Sequence, residues 1–337
     1  MPGPSLTGRA YFVCPTVGRP LHSPLTTRVP DATPTAPAPS TMLRIALPNK
    51  GRLAEDAREL FADAGLAVRA SGDRALTASL GGEFEAIFVR AQDIPEFVAD
   101  RAADVGVTGW DLVCESGREL RELLDLGFGK CRIVVAAREE SGVTDLEDLS
   151  RAFAPDGARP RVATVFPRIT ERFFAATGRP VMVVPVSGAC EIAPHLGIAD
   201  IVVDLTSTGS TLKMNGLREV ATVLHSTARL VTHPELAAAR GTAAAVALGE
   251  LATALESVLR ARGQRYVMAN VPKAALEQVK QVLPGLRGPT VIDVLNGGTH
   301  VAVHAVVPAH AIYRTIAQLK QLGGEGILVT RIERLMP

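Results

Sequence analysis

The residues best suited to chemistry stand together in one short stretch. Asp204 is followed by Thr206, Ser207, Thr208, Gly209, Ser210 and Thr211. A turn rich in hydroxyls offers several hydrogen-bond donors at once. Its backbone N–H groups can form an anion nest, and a glycine lets the main chain come close to a bound oxyanion without a clashing Cβ. A carboxylate beside such a nest is useful when the ligand also carries hydroxyls or a metal, as a phosphorylated sugar does. The same residues would equally serve an ordinary strand-to-helix turn capped by Ser and Thr. A second acid, Glu191, follows Ser187-Gly188-Ala189-Cys190 near an expected helix start, where it can act as a partner of the helix dipole or as a neighbour of Asp204.

The elements that must position these groups are read from periodicity. Ile201–Val203 is an apolar run suited to a buried strand, with Asp204 where that strand meets solvent. Upstream, Leu43–Leu47 predicts a strand that turns at Pro48-Asn49-Lys50-Gly51-Arg52 into a helix from about Leu53 to Ala64. Ala86–Val89 repeats the strand and Arg90–Pro95 the turn, with Asp93 the expected N-cap and Pro95 in the first helical turn. A third strand over Asp104–Val107 closes at Thr108-Gly109-Trp110-Asp111. The pattern predicts a mostly parallel sheet. Ligands of such sheets sit beyond the carboxyl ends of the strands, which makes Lys50, Arg52, Arg90 and Asp111 candidate site residues.

A second α/β unit is expected from roughly Arg132 to Leu224. It has strands at Arg161–Val165 and Val181–Val186, a helix around Ile169–Thr177, and a further helix after Glu191. A long Ala-rich helix is expected over Glu235–Ala261. The final segment reads β-α-β-β-α-β: Gln264–Val271, Ala274–Leu283, Thr290–Leu295, a Gly297-Gly298 turn, Val301–Val307, a helix marked by Ile312, Ile316 and Leu319, and Ile327–Ile332. This order is the ferredoxin-like motif, a module that often binds a regulator or pairs with its own copy. His300 and His304 alternate on one strand face, but two histidines with no nearby acid or cysteine make a poor metal site.

Composition narrows the classes. The chain is 47% hydrophobic and 21% charged with a formal net charge of +1, which suits a globular protein and gives no reason to expect a nucleic-acid or membrane-surface partner. Aromatic residues make up only 4%, too few for base-stacking platforms. Cys14, Cys114, Cys131 and Cys190 are scattered without a C-x-x-C pair, so neither a zinc site nor a disulfide framework is expected, and a reducing cytoplasm fits. Residues 1–41 hold nine of the 23 prolines and a single acid, Asp31, with no helical period, so this stretch is expected to be disordered. Its prolines would break the amphipathic helix of a transit peptide, and Met42 is the expected functional start.

In order and spacing, several motifs carry a resemblance to a known family. They are Pro48-Asn49-Lys50-Gly51-Arg52-Leu53, Arg90 with Asp93-Ile94-Pro95, Gly106-Val107-Thr108-Gly109 with Asp111-Leu112, Leu126–Gly129, Glu191-Ile192-Ala193-Pro194, and Asp204–Leu212. From Met42 to near its end, the chain resembles the long-form ATP phosphoribosyltransferases of histidine biosynthesis, which carry a C-terminal regulatory domain. The resemblance implies an α/β fold: a two-lobed, periplasmic-binding-protein-like catalytic core and a ferredoxin-like regulatory domain. The implied divisions are 42–131 with about 225–260 for one lobe, 132–224 for the other, and 262–337 for the regulatory domain. It implies transfer from phosphoribosyl pyrophosphate (PRPP) to N1 of ATP with release of pyrophosphate, dependence on Mg²⁺, inhibition by histidine and assembly from dimers to a hexamer. Carried onto this chain, the loop Thr206–Thr211 takes the 5′-phosphate of PRPP. Asp204 and Glu191, the candidate catalytic acids, lie near the ribose hydroxyls, and Lys50, Arg90 and Asp111 line the ATP side. Asn270, Thr290 and Ala302 fall where a histidine pocket would form. A single acid, Asp204, precedes the loop, where the common phosphoribosyltransferase pattern has two adjacent acids. A two-lobed solute-binding protein or a non-catalytic ligand sensor would share the α/β layout, but neither would release pyrophosphate from ATP and PRPP.

Overall fold

The computed structural model describes residues 42–69, 75–153, 158–283, 285, 288–294 and 298–336; the expected disorder of 1–41 and the Gly297 turn position lie outside them. The chain divides into two units, one comprising Val68–Leu248 with the chain up to Arg58, the other Glu59–Ala67 with the chain from Gly249 onward.

The larger unit contains strands β1 (Arg44–Pro48), β2 (Val68–Arg69), β3 (Thr77–Leu80), β4 (Phe84–Val89), β5 (Val105–Gly109), β6 (Arg121–Asp125), β7 (Cys131–Arg138), β8 (Arg161–Thr164), β9 (Met182–Pro185), β10 (Ile201–Thr206), β11 (Leu217–Ser226) and β12 (Ala228–Thr232). Its helices include the first part of α1 (Arg52–Asp63), whose residues from Glu59 onward belong to the other unit, with α2 (Ile94–Ala99), α3 (Trp110–Ser116), α4 (Leu146–Phe153), α5 (Pro167–Ala176), α6 (Ser210–Met214) and α7 (Pro234–Ala238). The strands form a seven-stranded sheet in the order β2-β3-β4-β1-β5-β12-β6 and a five-stranded sheet in the order β11-β7-β10-β8-β9. The chain passes between the sheets twice, after β6 and at Thr227. This is the two-lobed, periplasmic-binding-protein-like arrangement.

Both sheets are mixed, which corrects the expectation of a mostly parallel one. β1 runs parallel to β4 and β5, and β8 runs parallel to β9 and β10. The strands that lead into and out of each crossover, β6, β7, β11 and β12, pair antiparallel because the chain leaves one sheet and returns to it. The short β2–β3 hairpin was not visible in the hydrophobic pattern; β2 spans only two residues.

Close packing decides one glycine. A Cβ on Gly106 of β5 would lie 2.5 Å from Ile94 Cγ2 and 2.8 Å from Val98 Cγ2, so α2 rests directly on the strand backbone. The five-stranded sheet has an apolar cluster on each face. One is centred on Ile133, Val135, Ile169, Phe174, Ile201 and Val203, the other on Val134, Ala163, Val202 and Leu212. The Ile201–Val203 part of β10 thus buries both its faces, as its continuous apolar run implies.

Three helix expectations change. Asp93 is helical in backbone and makes no side-chain cap; the helix opens instead from a turn closed by Asp93 N–H to Arg90 O at 2.9 Å, with Pro95 in the first turn. After Glu191 there is only a 3₁₀ turn over Cys190–Ile192, because Pro194 has no N–H to return to Cys190. The long Ala-rich helix is broken into α7 and α8 (Ala243–Ala261). Gly241 adopts φ +70°, and Thr242 Oγ1 caps the Ala245 N–H at 3.1 Å.

The second unit carries β13 (Gln264–Pro272), α9 (Leu276–Val282), β14 (Thr290–Asp293), β15 (His300–Pro308), α10 (Ile312–Gln321) and β16 (Glu325–Arg331), giving a sheet ordered β14-β15-β13-β16. This is the ferredoxin-like layout. Val267, Ala269, Val271, Val301, Val303 and Val307 pack against Val279, Leu283 and Leu319, so one sheet face is the core of this unit.

Candidate functional site

β10 is the middle strand of the five-stranded sheet and carries Asp204 toward its carboxyl end. The strand runs two residues beyond the acid, to Thr206, so Asp204 lies within it and is half-buried rather than at its edge. Its Oδ1 accepts from the Leu205 N–H at 2.7 Å. Burial raises the Asp204 carboxyl above its ordinary value, and the neighbouring Glu191 carboxylate adds to that rise. The two acids, 13 positions apart, are therefore brought together, and burial, with the same charges beside it, pushes the Cys190 thiol up to about 11. Ala189, just before them, holds φ +50° without being glycine, a conformation that costs about 1 kcal/mol or more and persists only where its surroundings enforce it.

The turn after β10 is held by its own hydroxyls. Thr206 Oγ1 accepts the Gly209 N–H at 2.9 Å, and Thr208 Oγ1 and Ser210 Oγ share a hydrogen bond of 2.9 Å. Gly209 sits at φ +80°, which turns the chain into α6. Thr206 and Gly209 are buried, whereas Ser207, Thr208, Ser210 and Thr211 face solvent. The loop thus separates into an inner pair that shapes it and an outer set of hydroxyls available to a ligand.

The ends of β1, β4 and β5 lie side by side. Pro48 is in register with Val89, and the Asn49 N–H donates to Val89 O at 2.8 Å. Lys50 and Arg90 are both exposed there, so two cations occupy adjacent strand ends. Asp111, expected on the same side, is 5% exposed in the first turn of α3. Ser226 Oγ donates to Asp111 Oδ1 at 2.5 Å and accepts the Asp111 N–H at 3.0 Å. Burial raises the Asp111 carboxyl despite these bonds and, with the Asp111 charge close by, pushes the Cys131 thiol up to about 11. The strand-end position was legible in the sequence; Ser226, 115 residues away, was not.

Other interactions also escaped the sequence. Glu115 of α3 accepts the N–H groups of Arg168 and Ile169, both at 3.0 Å, and so satisfies the opening turn of α5. Arg132 pairs with Glu219 at 2.7 Å. Arg229 lies beside Glu122 at 3.2 Å and over the Trp110 ring at 5.5 Å.

In the second unit, Asn270 pairs directly with Ala302, and Thr290 with His304. Alternation puts Asn270, Thr290, Ala302 and His304 on the face opposite the helices, where Tyr266 OH bonds His304 Nδ1. Among the described residues no group of three or more His, Cys, Asp or Glu side chains could hold a metal ion, and no helix is long and apolar enough to cross a membrane.

A two-lobed α/β core with acids and a hydroxyl-rich turn at one set of strand ends, cations at the other, and a ferredoxin-like appendage belongs to the class of two-lobed α/β ligand-binding folds, whose strand ends here suit phosphorylated ligands. Comparison with known proteins makes the assignment particular. Residues 90–257 match the family model described as HisG, ATP phosphoribosyltransferase, and residues 261–334 match HisG, C-terminal domain. An ATP phosphoribosyltransferase of Gemmatimonas aurantiaca is 70% identical over 88% of this chain and all of its own length. One of Methanocella arvoryzae is 46% identical with the same coverage. Among solved structures, the ATP phosphoribosyl transferase (HisG:HisZ) complex from Thermotoga maritima aligns over 64% of this chain and 99% of its own with 26% identity and a TM-score of 0.53. The chain belongs to the ATP phosphoribosyltransferase family, the pentosyltransferases that perform the first step of histidine biosynthesis.

Proposed function

We propose that the outer hydroxyls of Ser207, Thr208, Ser210 and Thr211 take the 5′-phosphate of PRPP, with Thr206 and Gly209 shaping the loop, and that Asp204 and Glu191 hold the ribose hydroxyls. The observation that carries this reading is the pairing of a half-buried acid with an exposed hydroxyl turn at the end of the central strand of its sheet. Lys50 and Arg90 receive polyphosphate oxygens on the ATP side, where charge-assisted bonds are strongest. Asp111, enclosed by Ser226, supports that side from within rather than touching the nucleotide. The two sheets of the larger unit then serve as catalytic lobes, one for each substrate.

Transfer joins N1 of adenine to C1 of the ribose and releases pyrophosphate. The bond to the anomeric carbon breaks with oxocarbenium character, so the protein needs no covalent nucleophile. Its task is to align two polyanions and to hold negative charge near the developing cation, which Asp204 does from the ribose side. N1 carries its own lone pair, and no general base is assigned. Asp204, whose carboxyl is raised by burial and by the Glu191 charge beside it, and Glu191 together suit a dication that arrives with substrate phosphates, the usual donor set of Mg²⁺. Asp204 and Glu191 would hold Mg²⁺, which when bound neutralises pyrophosphate charge.

The open face bearing Asn270, Thr290 and Ala302 is the proposed histidine site, coupled to activity through assembly from dimers to a hexamer in the cytoplasm. Incubation with ATP, PRPP and Mg²⁺ should yield pyrophosphate and a phosphoribosyl-ATP adduct by mass spectrometry, with the rate falling on addition of histidine. Absence of the adduct would refute the substrate assignment, and an unchanged rate with histidine would refute the regulatory one.

A further inference from the structure

The Thr206–Thr211 loop is anchored at Ser207 by a side chain from a neighbouring strand, and at Thr211 by Asn215 Nδ2, which donates to its carbonyl at 2.9 Å. Arg132 of β7 stands in register with Thr206 on one side and His225 on the other. Its guanidinium donates through Nε and Nη2 to both carboxylate oxygens of Glu219, at 3.2 and 2.7 Å, and through Nη1 to the backbone carbonyl of Ser207 at 3.1 Å. The guanidinium also lies over Gly209: a Cβ there would stand 3.7 Å from Nη2. Glu219 is itself fixed, accepting from Thr222 Oγ1 at 3.1 Å where β11 bulges between Glu219 and Ala221. The side chains of Arg132 and Glu219 are 27% and 32% exposed, so this is not a fully solvated surface pair. The hydrogen bonds from Arg132 hold the Glu219 carboxyl below its ordinary range.

We infer that Arg132 is a positioning residue for the phosphate loop, and that Glu219 aims its planar fork so that one N–H reaches Ser207 O and sets where the loop hydroxyls stand. This rests on the reading that the loop holds the sugar phosphate. A guanidinium can serve a carboxylate with one edge and a carbonyl with its remaining nitrogen, whereas an ammonium cannot reproduce both directions from the same stem. The ion pair therefore matters for its direction as well as its charge. A loop displaced by a fraction of an ångström loses alignment with the sugar phosphate, and the loss falls on PRPP and not on ATP.

The test uses the full-length protein, with steady-state kinetics for each substrate and calorimetric titration with ribose 5-phosphate as the probe. Arg132→Met is expected to raise KM for PRPP roughly tenfold or more and to weaken ribose 5-phosphate binding similarly, with KM for ATP within about twofold. Arg132→Lys should recover only part of this. The swapped pair, Arg132→Glu with Glu219→Arg, restores opposite charges but sends the fork from the wrong strand, and should remain defective. Recovery of full PRPP affinity by the swap, or an unchanged KM for PRPP in Arg132→Met, would overturn the positioning role. The loop double variant Thr208→Val with Ser210→Ala separates this failure from that of the parent reading. If it loses ribose 5-phosphate binding while Arg132→Met retains it, only the Arg132 inference falls. If it too binds normally, the loop assignment falls, and the Arg132 inference with it.

Discussion

Asp111 and Asp204 occupy comparable places: each is an acid near a strand's carboxyl end, close to a glycine turn that leads into a short helix. Their surroundings separate them. Asp111 is enclosed, giving its oxygen to Ser226 Oγ and taking Ser226 as acceptor for its own N–H. Asp204 accepts from the amide that follows it and faces a second carboxylate. The first arrangement is complete without a ligand; the second keeps two like charges together and gains most when something cationic or hydroxylated arrives. Position at a strand end makes an acid a candidate, and the partners supplied by the fold decide whether it serves structure or substrate.

Substitutions that exchange the two behaviours would break this contrast. The largest effect is expected at the open acid. Asp204→Asn keeps the shape and the acceptor for Leu205 N–H, so melting should be nearly unchanged while kcat/KM for PRPP falls roughly 100-fold, about 2.7 kcal/mol of transition-state stabilisation. A variant of full activity would remove Asp204 from the site. At the closed acid the order inverts. Ser226→Ala leaves a buried carboxylate without its hydroxyl donor and should cost about 2 kcal/mol in a urea titration, with a much smaller change in kcat/KM. A stability loss below about 0.5 kcal/mol would mean that the pair is not what holds Asp111 inward.

Smaller effects sharpen the comparison. Gly209→Ala meets nothing closer than Arg132 Nη2 at 3.7 Å, so its cost is backbone strain at φ +80°, about 1–2 kcal/mol, seen as weaker PRPP affinity in calorimetry. Unchanged affinity would show that the loop tolerates another path. The pH dependences carry opposite information. Burial raises the Asp111 carboxyl, so the folded protein holds that proton more tightly than the unfolded chain. The associated stability is present below the unfolded value and is lost as pH rises through the raised folded one. Asp111→Asn has no such titration, so its stability relative to the parent should improve as pH leaves the acid range. For Asp204 the readout is activity. Glu191 adds to the rise in its carboxyl, so Glu191→Gln should move the acid limb of the kcat/KM profile for PRPP to lower pH. An unmoved limb would mean that the two acids do not interact in the free enzyme.

Much of this was legible in the sequence because it is local. The β10 run, the hydroxyl turn and its glycine lie within 11 consecutive residues, and the β-α-β-β-α-β order of the final module follows from periods that each element carries alone. What the sequence hid is long-range. Ser226 reaches Asp111 across 115 positions, and Glu219 reaches Arg132 across 87, and no residue type or spacing marks either pair. The mixed pairing of both sheets was hidden for a related reason. Alternating strands and helices imply parallel neighbours, whereas the two passages between sheets set β12 against β5 and β7 against β10 in reversed direction, so β6 and β11 pair antiparallel to them in turn. The Asp93 cap failed locally, since its helical backbone leaves no extended residue to fold back on the first turn.

The central claim is that the exposed hydroxyls after β10 receive the sugar phosphate of PRPP. A crystal structure of the protein with PRPP and Mg²⁺ tests it most directly. The account predicts the 5′-phosphate oxygens within about 3 Å of donors from Ser207, Thr208, Ser210 and Thr211, with the ribose hydroxyls turned to Asp204. A phosphate bound elsewhere, with that loop still facing solvent, would contradict it.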